Sequence, residues 1–267
     1  MDTRPLLFID SGIGGIPYAH FFYSNNRCEK LIYVADRANF PYGPKSKKTL
    51  VELLIFLVSG LVERYDPKML VVACNAASVS ALADLRQSFP ALRIVGTVPA
   101  IKSAVLASQK RRIGVLGTQR TIEDPYIASL TAQFGPDCTI LGEAAAELID
   151  FVEHRWLVAD STERLLAAKP WVEMFLEKGA DVLVLACTHF LLLREEFRQA
   201  GGGALAVFDS VEGVSKRVES ILDEEGLRAS AVTLAQAPRI LVTGPPPTGD
   251  YWKQLTFAFG FSLELEQ

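Results

Sequence analysis

Met69-Leu70-Val71-Val72-Ala73-Cys74-Asn75 and Val182-Leu183-Val184-Leu185-Ala186-Cys187-Thr188 decide how this chain is to be read. Each is an apolar run that ends in Ala-Cys and a small polar residue. Short apolar runs without polar alternation are the pattern of parallel strands buried on both faces. Similar runs stand at 6–9, 31–34, 93–95, 113–116, 204–208 and 240–242. Between them lie stretches of helical periodicity, at 49–64, 78–88, 99–108 and 165–178. Strand–helix alternation predicts an α/β fold with parallel sheets. The two Ala-Cys runs echo one another, and so do Phe8-Ile9-Asp10-Ser11-Gly12 and Val115-Leu116-Gly117-Thr118, where a hydroxyl residue follows a strand. Two half-chains of similar βα construction would produce this echo. So would chance, the matches being short.

The composition sets the frame. The chain of 267 residues has room for one large domain or two of about 130 residues each. Hydrophobic residues at 49% and charged residues at 22% fit an ordinary globular protein that needs no disulfide or metal staple. The net charge of −4 argues against a dominant nucleic-acid role, which brings a basic patch or stripe. Met1-Asp2-Thr3-Arg4-Pro5 lacks the features of a signal peptide. The longest apolar stretch, 53–62, is interrupted by Ser59 and Gly60 and is too short to span a bilayer. The expectation is a cytoplasmic protein with no membrane partner. Cys28, Cys74, Cys138 and Cys187 form no close CxxC pair, so a special cysteine here reads as a reactive thiol rather than a staple or a zinc ligand. Residues 201–203 and 244–247 read as loops. No low-complexity linker divides the chain, so two domains would be joined by ordered crossovers.

Ligands of open α/β sheets bind beyond the carboxyl ends of the strands. The residues found there are Asp10-Ser11-Gly12-Ile13-Gly14-Gly15, then Asp36 and Pro41-Tyr42-Gly43-Pro44, then Cys74-Asn75-Ala76-Ala77-Ser78, Gly117-Thr118 and Cys187-Thr188-His189. Small, hydroxyl-bearing and nucleophilic residues are concentrated where a ligand belongs. The glycines after Asp10 let backbone N–H groups approach an anion. No lysine follows them, as a P-loop requires, and Pro17 stands where a dinucleotide fingerprint needs its third glycine. A tight strand-to-helix turn is the plain alternative. A small carboxylate ligand fits better, with Asp10 placed to repel phosphate and to attract an ammonium group or position a thiol proton. Tyr42-Gly43 between two prolines is a rigid turn whose backbone could hold a carboxylate, and a simple loop accounts for it equally well.

A lone cysteine after a strand is usually a small packing residue. Two in matching contexts suggest more. Inverting an α-carbon needs a base on one face and a proton donor on the other, and two thiols with pKa near about 8.5 can exchange those roles. His189, Asp10 or nearby N–H groups could tune them. His189, two residues after Cys187, is expected to point to the same side of an extended strand end. The alternatives are a hydrogen-bonded structural histidine, or zinc held by Cys74, Cys187 and His189, for which the spacing is unusual.

Together these motifs resemble the glutamate racemase family. The matching segments are Asp10 to Gly15, Pro41-Tyr42-Gly43, Ala73-Cys74-Asn75, Gly96-Thr97-Val98-Pro99, Gly117-Thr118, Cys187-Thr188-His189 and the closing Leu241-Val242-Thr243-Gly244. The resemblance implies two flavodoxin-like parallel-sheet domains in pseudo-twofold relation, with the active site at their interface. The first would comprise 1–98 plus 211–267 and the second 99–210. It implies interconversion of L- and D-glutamate for peptidoglycan synthesis, without pyridoxal phosphate, other cofactor or metal. Cys74 and Cys187 would be base and acid, assisted by Asp10 and His189 respectively, with Glu153 a further acidic residue near the site. Asp10, Ser11, Tyr42, Gly43, Asn75, Thr118, Thr188 and His189 would hold the small-molecule substrate. A homodimer is compatible with the resemblance. Three positions depart from the family pattern. Ala76 stands where the family usually has Thr, leaving only its backbone N–H to bind. Ala186 replaces Gly before the second cysteine, and Phe190-Leu191 replaces an aromatic-Pro pair. Ala76 keeps open a racemase of aspartate or another small acid. A non-catalytic binding relative is the rival of another class, opposed by intact Asp10, Cys74, Cys187 and His189. No basic arm suggests a second role on a DNA-processing enzyme.

Overall fold

The computed structural model describes residues 2–229, 237–245 and 250–265. The chain divides into two compact units, Met1–Thr97 with Val211–Gln267, and Val98–Ser210. The first begins with β1 (Leu6–Asp10), α1 (Ile16–Asn25), β2 (Leu31–Ala35), α2 (Lys47–Tyr65), β3 (Met69–Val72), α3 (Asn75–Ser88) and β4 (Arg93–Gly96). The second contains α4 (Ile101–Ala107), β5 (Arg112–Gly117), α5 (Gln119–Glu123), α6 (Pro125–Phe134), β6 (Thr139–Ala144), α7 (Ala146–His154), α8 (Ser161–Glu177), β7 (Val182–Ala186), α9 (Arg194–Gly201) and β8 (Ala206–Phe208). The chain then returns to the first unit with α10 (Val211–Glu224), β9 (Arg239–Val242), α11 (Tyr251–Phe259) and β10 (Ser262–Leu265).

Both sheets are parallel. The first has the order β10-β9-β2-β1-β3-β4 and the second β6-β5-β7-β8. The echo in the sequence thus extends to topology. β2-β1-β3-β4 and β6-β5-β7-β8 share one order, and β3 and β7, the strands that lead to Cys74 and Cys187, occupy equivalent places. β1, β2, β3 and β7 are buried along their whole length, which explains their unbroken apolar runs. In the first unit, Leu50, Leu54 and Val58 of α2 pack with Ile9, Val34, Val72 and Tyr42. In the second, Ile101 and Val105 of α4 pack with Val115 and Val184.

The eight expected strands form, most with ends shifted by a residue or two. β6 and β10 were not expected. Each lies at a sheet edge, and no residue of β6 is fully buried, so no continuous apolar run marks it. The 165–178 stretch continues through Pro170, which lies inside α8; that helix starts earlier, at a capping box of Asp160 and Glu163. Of the expected 244–247 loop, Pro246 and Pro247 lie outside the described residues. Among the described residues, no helix is long and apolar enough to cross a membrane.

Candidate active site

In the first unit the candidate residues collect at the carboxyl ends of β1 and β3. These strands are neighbours, with Ile9 opposite Val72 and the Ala73 N–H donating to the Ile9 carbonyl at 2.8 Å. Asp10 and Cys74 therefore emerge from adjacent strand ends, at the point where the strand order reverses and α/β sheets bind ligands. Asp10 is fully buried, and its Oδ1 accepts from the Ser11 N–H at 2.7 Å. The Tyr33 hydroxyl donates to the Gly12 carbonyl at 2.7 Å and fixes the glycine loop from below. A Cβ on Gly15 would stand 2.6 Å from the Ala73 carbonyl oxygen. Close approach to the strand that carries Cys74 thus requires glycine there.

Cys74 is buried and is the N-cap residue of α3. Helix N-termini favour negative charge, because their first N–H groups lack helical partners and the macrodipole is positive there. Asn75, the first residue of the helix, is 2% exposed, and neither its Nδ2 nor its Oδ1 has a hydrogen-bond partner among the described residues. A buried amide left unsatisfied on both sides calls for an explanation, and a polar ligand supplies one. Ala76 is buried beside Cys74 and Ala77 in the core. Tyr42 is 1% exposed, and its hydroxyl donates to Asp36 Oδ2 at 2.7 Å. Burial first, and then the adjacent Asp36 carboxylate, hold this phenol well above its usual range. The Tyr42 hydroxyl proton is thus engaged by Asp36.

In the second unit, β5 and β7 pair with Gly117 opposite Ala186, so Thr118 and Cys187 lie at neighbouring strand ends. Thr118 caps α5, its Oγ1 accepting from the Thr121 N–H at 3.2 Å. Cys187 is buried and opens a 3-10 turn over Thr188–Leu193. His189 lies within that turn and not on an extended strand end. The tight winding, rather than strand alternation, brings its Nδ1 to 3.7 Å from Cys187 Sγ. Its Nε2 lies 2.7 Å from Glu153 Oε1 of α7, and both side chains are almost fully buried. A thiol, an imidazole and a carboxylate thus form a continuous chain out of solvent. Burial disfavours the imidazolium, but the hydrogen bonds to Cys187 and Glu153 outweigh it and hold His189 well above the usual histidine range. Thr188 is buried next to Cys187.

Two contributors were not singled out as site residues from sequence. Trp156 Nε1–H donates to the Leu192 carbonyl at 2.7 Å, a second strut between the end of α7 and the turn that carries His189. Asp36 was noted only as a residue after a strand, and it proves to be the acceptor for Tyr42. Among the described residues, no group of three or more His, Cys, Asp or Glu side chains is placed to hold a metal ion.

Comparison with known proteins places the chain in a class. The chain belongs to the Asp/Glu/hydantoin racemase family, whose model matches residues 29–215. Among its relatives in that class are glutamate racemases. The one from Treponema pallidum is 44% identical over 210 residues, covering 79% of this chain and 78% of its own. That from Sphingopyxis alaskensis is 37% identical over 247 residues, covering 91% of each chain. Among solved structures, Escherichia coli glutamate racemase, described in complex with L-glutamate and the activator UDP-MurNAc-Ala, superposes with a TM-score of 0.83 at 31% identity over 98% of both chains.

Proposed function

We propose that this chain is a cofactor-independent glutamate racemase that moves one proton off, and another onto, the α-carbon of glutamate with two thiols. The observation that carries the reading is the buried Cys187–His189–Glu153 chain, set at the topological equivalent of Cys74. The names of the relatives at 37–44% identity support glutamate as the substrate.

In this reading one cysteine starts as thiolate and the other as thiol. The thiolate takes the α-proton, and the electron pair left on carbon delocalises into the α-carboxylate. The opposite thiol delivers its proton to the other face. The product has inverted configuration, and the two sulfurs have exchanged protonation states. Family resemblance assigns deprotonation of D-glutamate to Cys74 and of L-glutamate to Cys187. A charged His189 next to Cys187 stabilises the thiolate when that sulfur acts as base and can orient the thiol when it acts as acid. Family resemblance gives Asp10 the assisting part for Cys74. Asn75, with two unmet hydrogen-bonding groups, takes the substrate's charged groups together with Ser11, the Tyr42–Gly43 main chain, Thr118 and Thr188, and with the backbone N–H of Ala76. The product, D-glutamate, would serve peptidoglycan synthesis in the cytoplasm.

The test is deuterium incorporation at Cα of L- and D-glutamate in D2O, with circular dichroism following the rotation. Wild type should exchange and racemise both enantiomers. Cys74→Ser and Cys187→Ser should each lose racemisation by at least about 10³-fold, the range of a missing proton-transfer group. Each should keep one-sided elimination from a β-substituted analogue. Full racemase activity in either single variant would remove the two-thiol mechanism. Strong turnover of aspartate and none of glutamate would overturn the substrate.

A further inference from the structure

Asp36 is a buried carboxylate with no part in the proton transfers above. It is 1% exposed and lies one residue beyond β2. Its oxygens accept from the Thr243 hydroxyl at 2.6 Å, the Tyr42 hydroxyl at 2.7 Å and the Asn39 side-chain amide at 2.9 Å. All three donors are neutral, and they come from three places: a 3-10 turn at Arg37–Asn39, the Pro41-Tyr42-Gly43 loop and the end of β9. The Asp36 N–H donates to the Asp10 carbonyl at 2.8 Å, so the same residue is tied to the strand end that carries Asp10. Thr243 is held in turn. Its N–H donates to the Ala35 carbonyl at 3.1 Å, and its hydroxyl oxygen accepts from the Ala38 N–H at 3.2 Å. Gly244 follows with φ +81, and a Cβ there would stand 3.1 Å from Ala38 Cα. The end of β9 thus fits closely against the turn that leads into the Tyr42 loop.

We propose that Asp36 and Thr243 are positioning residues for substrate binding: together they set the main chain at Tyr42 and Gly43 where it receives a substrate carboxylate. The inference rests on the racemase reading given above. The sheet does not depend on this cluster, because β2 and β9 already pair through four residues from Ile32 opposite Arg239 to Ala35 opposite Val242. What the cluster adds is the placement of a loop. A loop that holds a carboxylate away from the reacting bond contributes equally to ground and transition states, so its displacement raises KM and spares kcat.

Three variants test it. Thr243→Val removes the hydroxyl at nearly constant shape, Thr243→Ser keeps it, and Asp36→Asn removes the charge. Thr243→Val and Asp36→Asn should raise KM for both glutamate enantiomers by about tenfold or more with kcat within about threefold of wild type, and Thr243→Ser should restore KM. Calorimetric binding of D-glutamate should show the same loss in Kd, which reads the loop without turnover. If the wild type binds glutamate but does not racemise it, the proposed function fails and the positioning role is still decided by Kd. A wild type that neither binds nor racemises glutamate overturns both. Unchanged KM and Kd in folded Thr243→Val overturns the positioning role alone. So does a loss that Thr243→Ser fails to restore, which would make the cluster a matter of fold.

Discussion

At the scale of single residues, charge is what the site places most carefully. Glu153 and His189 are 36 positions apart in sequence and 2.7 Å apart in space. Glu153→Gln keeps the shape and removes the charge that favours the imidazolium. Racemisation should fall by about 100-fold, the lower end of what one acid–base group supplies. The stability effect has a definite sign. The His189 pKa is raised in the folded chain, so its proton stabilises the fold fully below the unfolded value of about 6.5, and that stabilisation is lost as pH rises through the folded value. Urea unfolding should therefore show the largest cost of Glu153→Gln near pH 6 and a smaller one at alkaline pH. A cost that grows with pH would mean that His189 is neutral. Ala76 carries the other prediction at this scale. Ala76→Thr puts a hydroxyl on the second residue of α3, and one hydrogen bond to a charged ligand is worth about 1.5–3 kcal/mol. KM for glutamate should drop about tenfold or more, and the glutamate-to-aspartate preference should change with it. An unaltered preference would take Ala76 out of substrate choice. The cysteines were legible in the sequence because strand ends announce themselves. The contact of His189 with Cys187 was anticipated for the wrong reason, since a 3-10 turn after a strand leaves no periodic signal. Glu153 had no local signal at all and entered through family likeness.

At the scale of elements, buried strands wrote themselves into the sequence and edge strands did not. β1, β2, β3 and β7 carry unbroken apolar runs because both their faces are covered. Thr139–Ala144 is half-exposed throughout and mixes Thr, Gly and Glu with its apolar residues, so nothing distinguished it from a loop. Backbone proximity is equally silent in sequence, and glycine is its only trace. Gly15 and Gly60 make the contrast. At Gly15 a Cβ would meet the Ala73 carbonyl at 2.6 Å and Asp10 Cβ at 3.0 Å, while at Gly60 nothing lies within 4 Å. Gly15→Ala should cost about 1–3 kcal/mol, because backbone must shift to admit the methyl group. It should also depress activity, since the strand ends that move carry Asp10 and Cys74. Gly60→Ala, in the middle of α2, should instead stabilise by about 0.5–1 kcal/mol. Paired thermal melts and rate measurements check both, and a harmless Gly15→Ala would mean that the α1 turn has slack next to the site.

At the scale of the whole molecule, the first unit has to be assembled from two stretches of chain that the second unit separates. The structure provides a buried knot for this. Lys68 Nζ, fully shielded from solvent, donates to Glu29 Oε2 at 2.5 Å, to the Asp2 carbonyl at 3.0 Å and to the Leu227 carbonyl at 2.8 Å. Glu29 Oε1 accepts from the Ala229 N–H at 3.0 Å. One ammonium group and one carboxylate thereby join the start of the chain, the entry to β2, the entry to β3 and the segment after α10. No sequence pattern pointed to it, because a lysine before a strand is ordinarily a solvated residue. Removing one partner leaves the other buried without its counter-charge, a loss of about 3–5 kcal/mol. Lys68→Met should therefore lower the unfolding free energy by that amount and hasten proteolysis in the segment after α10, a readout local to the second stretch. Adding Glu29→Gln should recover part of the loss, because a neutral amide no longer needs a cation. If Lys68→Met costs less than about 1 kcal/mol, the value of an ordinary surface pair, the two stretches are held together by the β2–β9 ladder and the packing of α1 on α10, and the buried pair is incidental to their assembly.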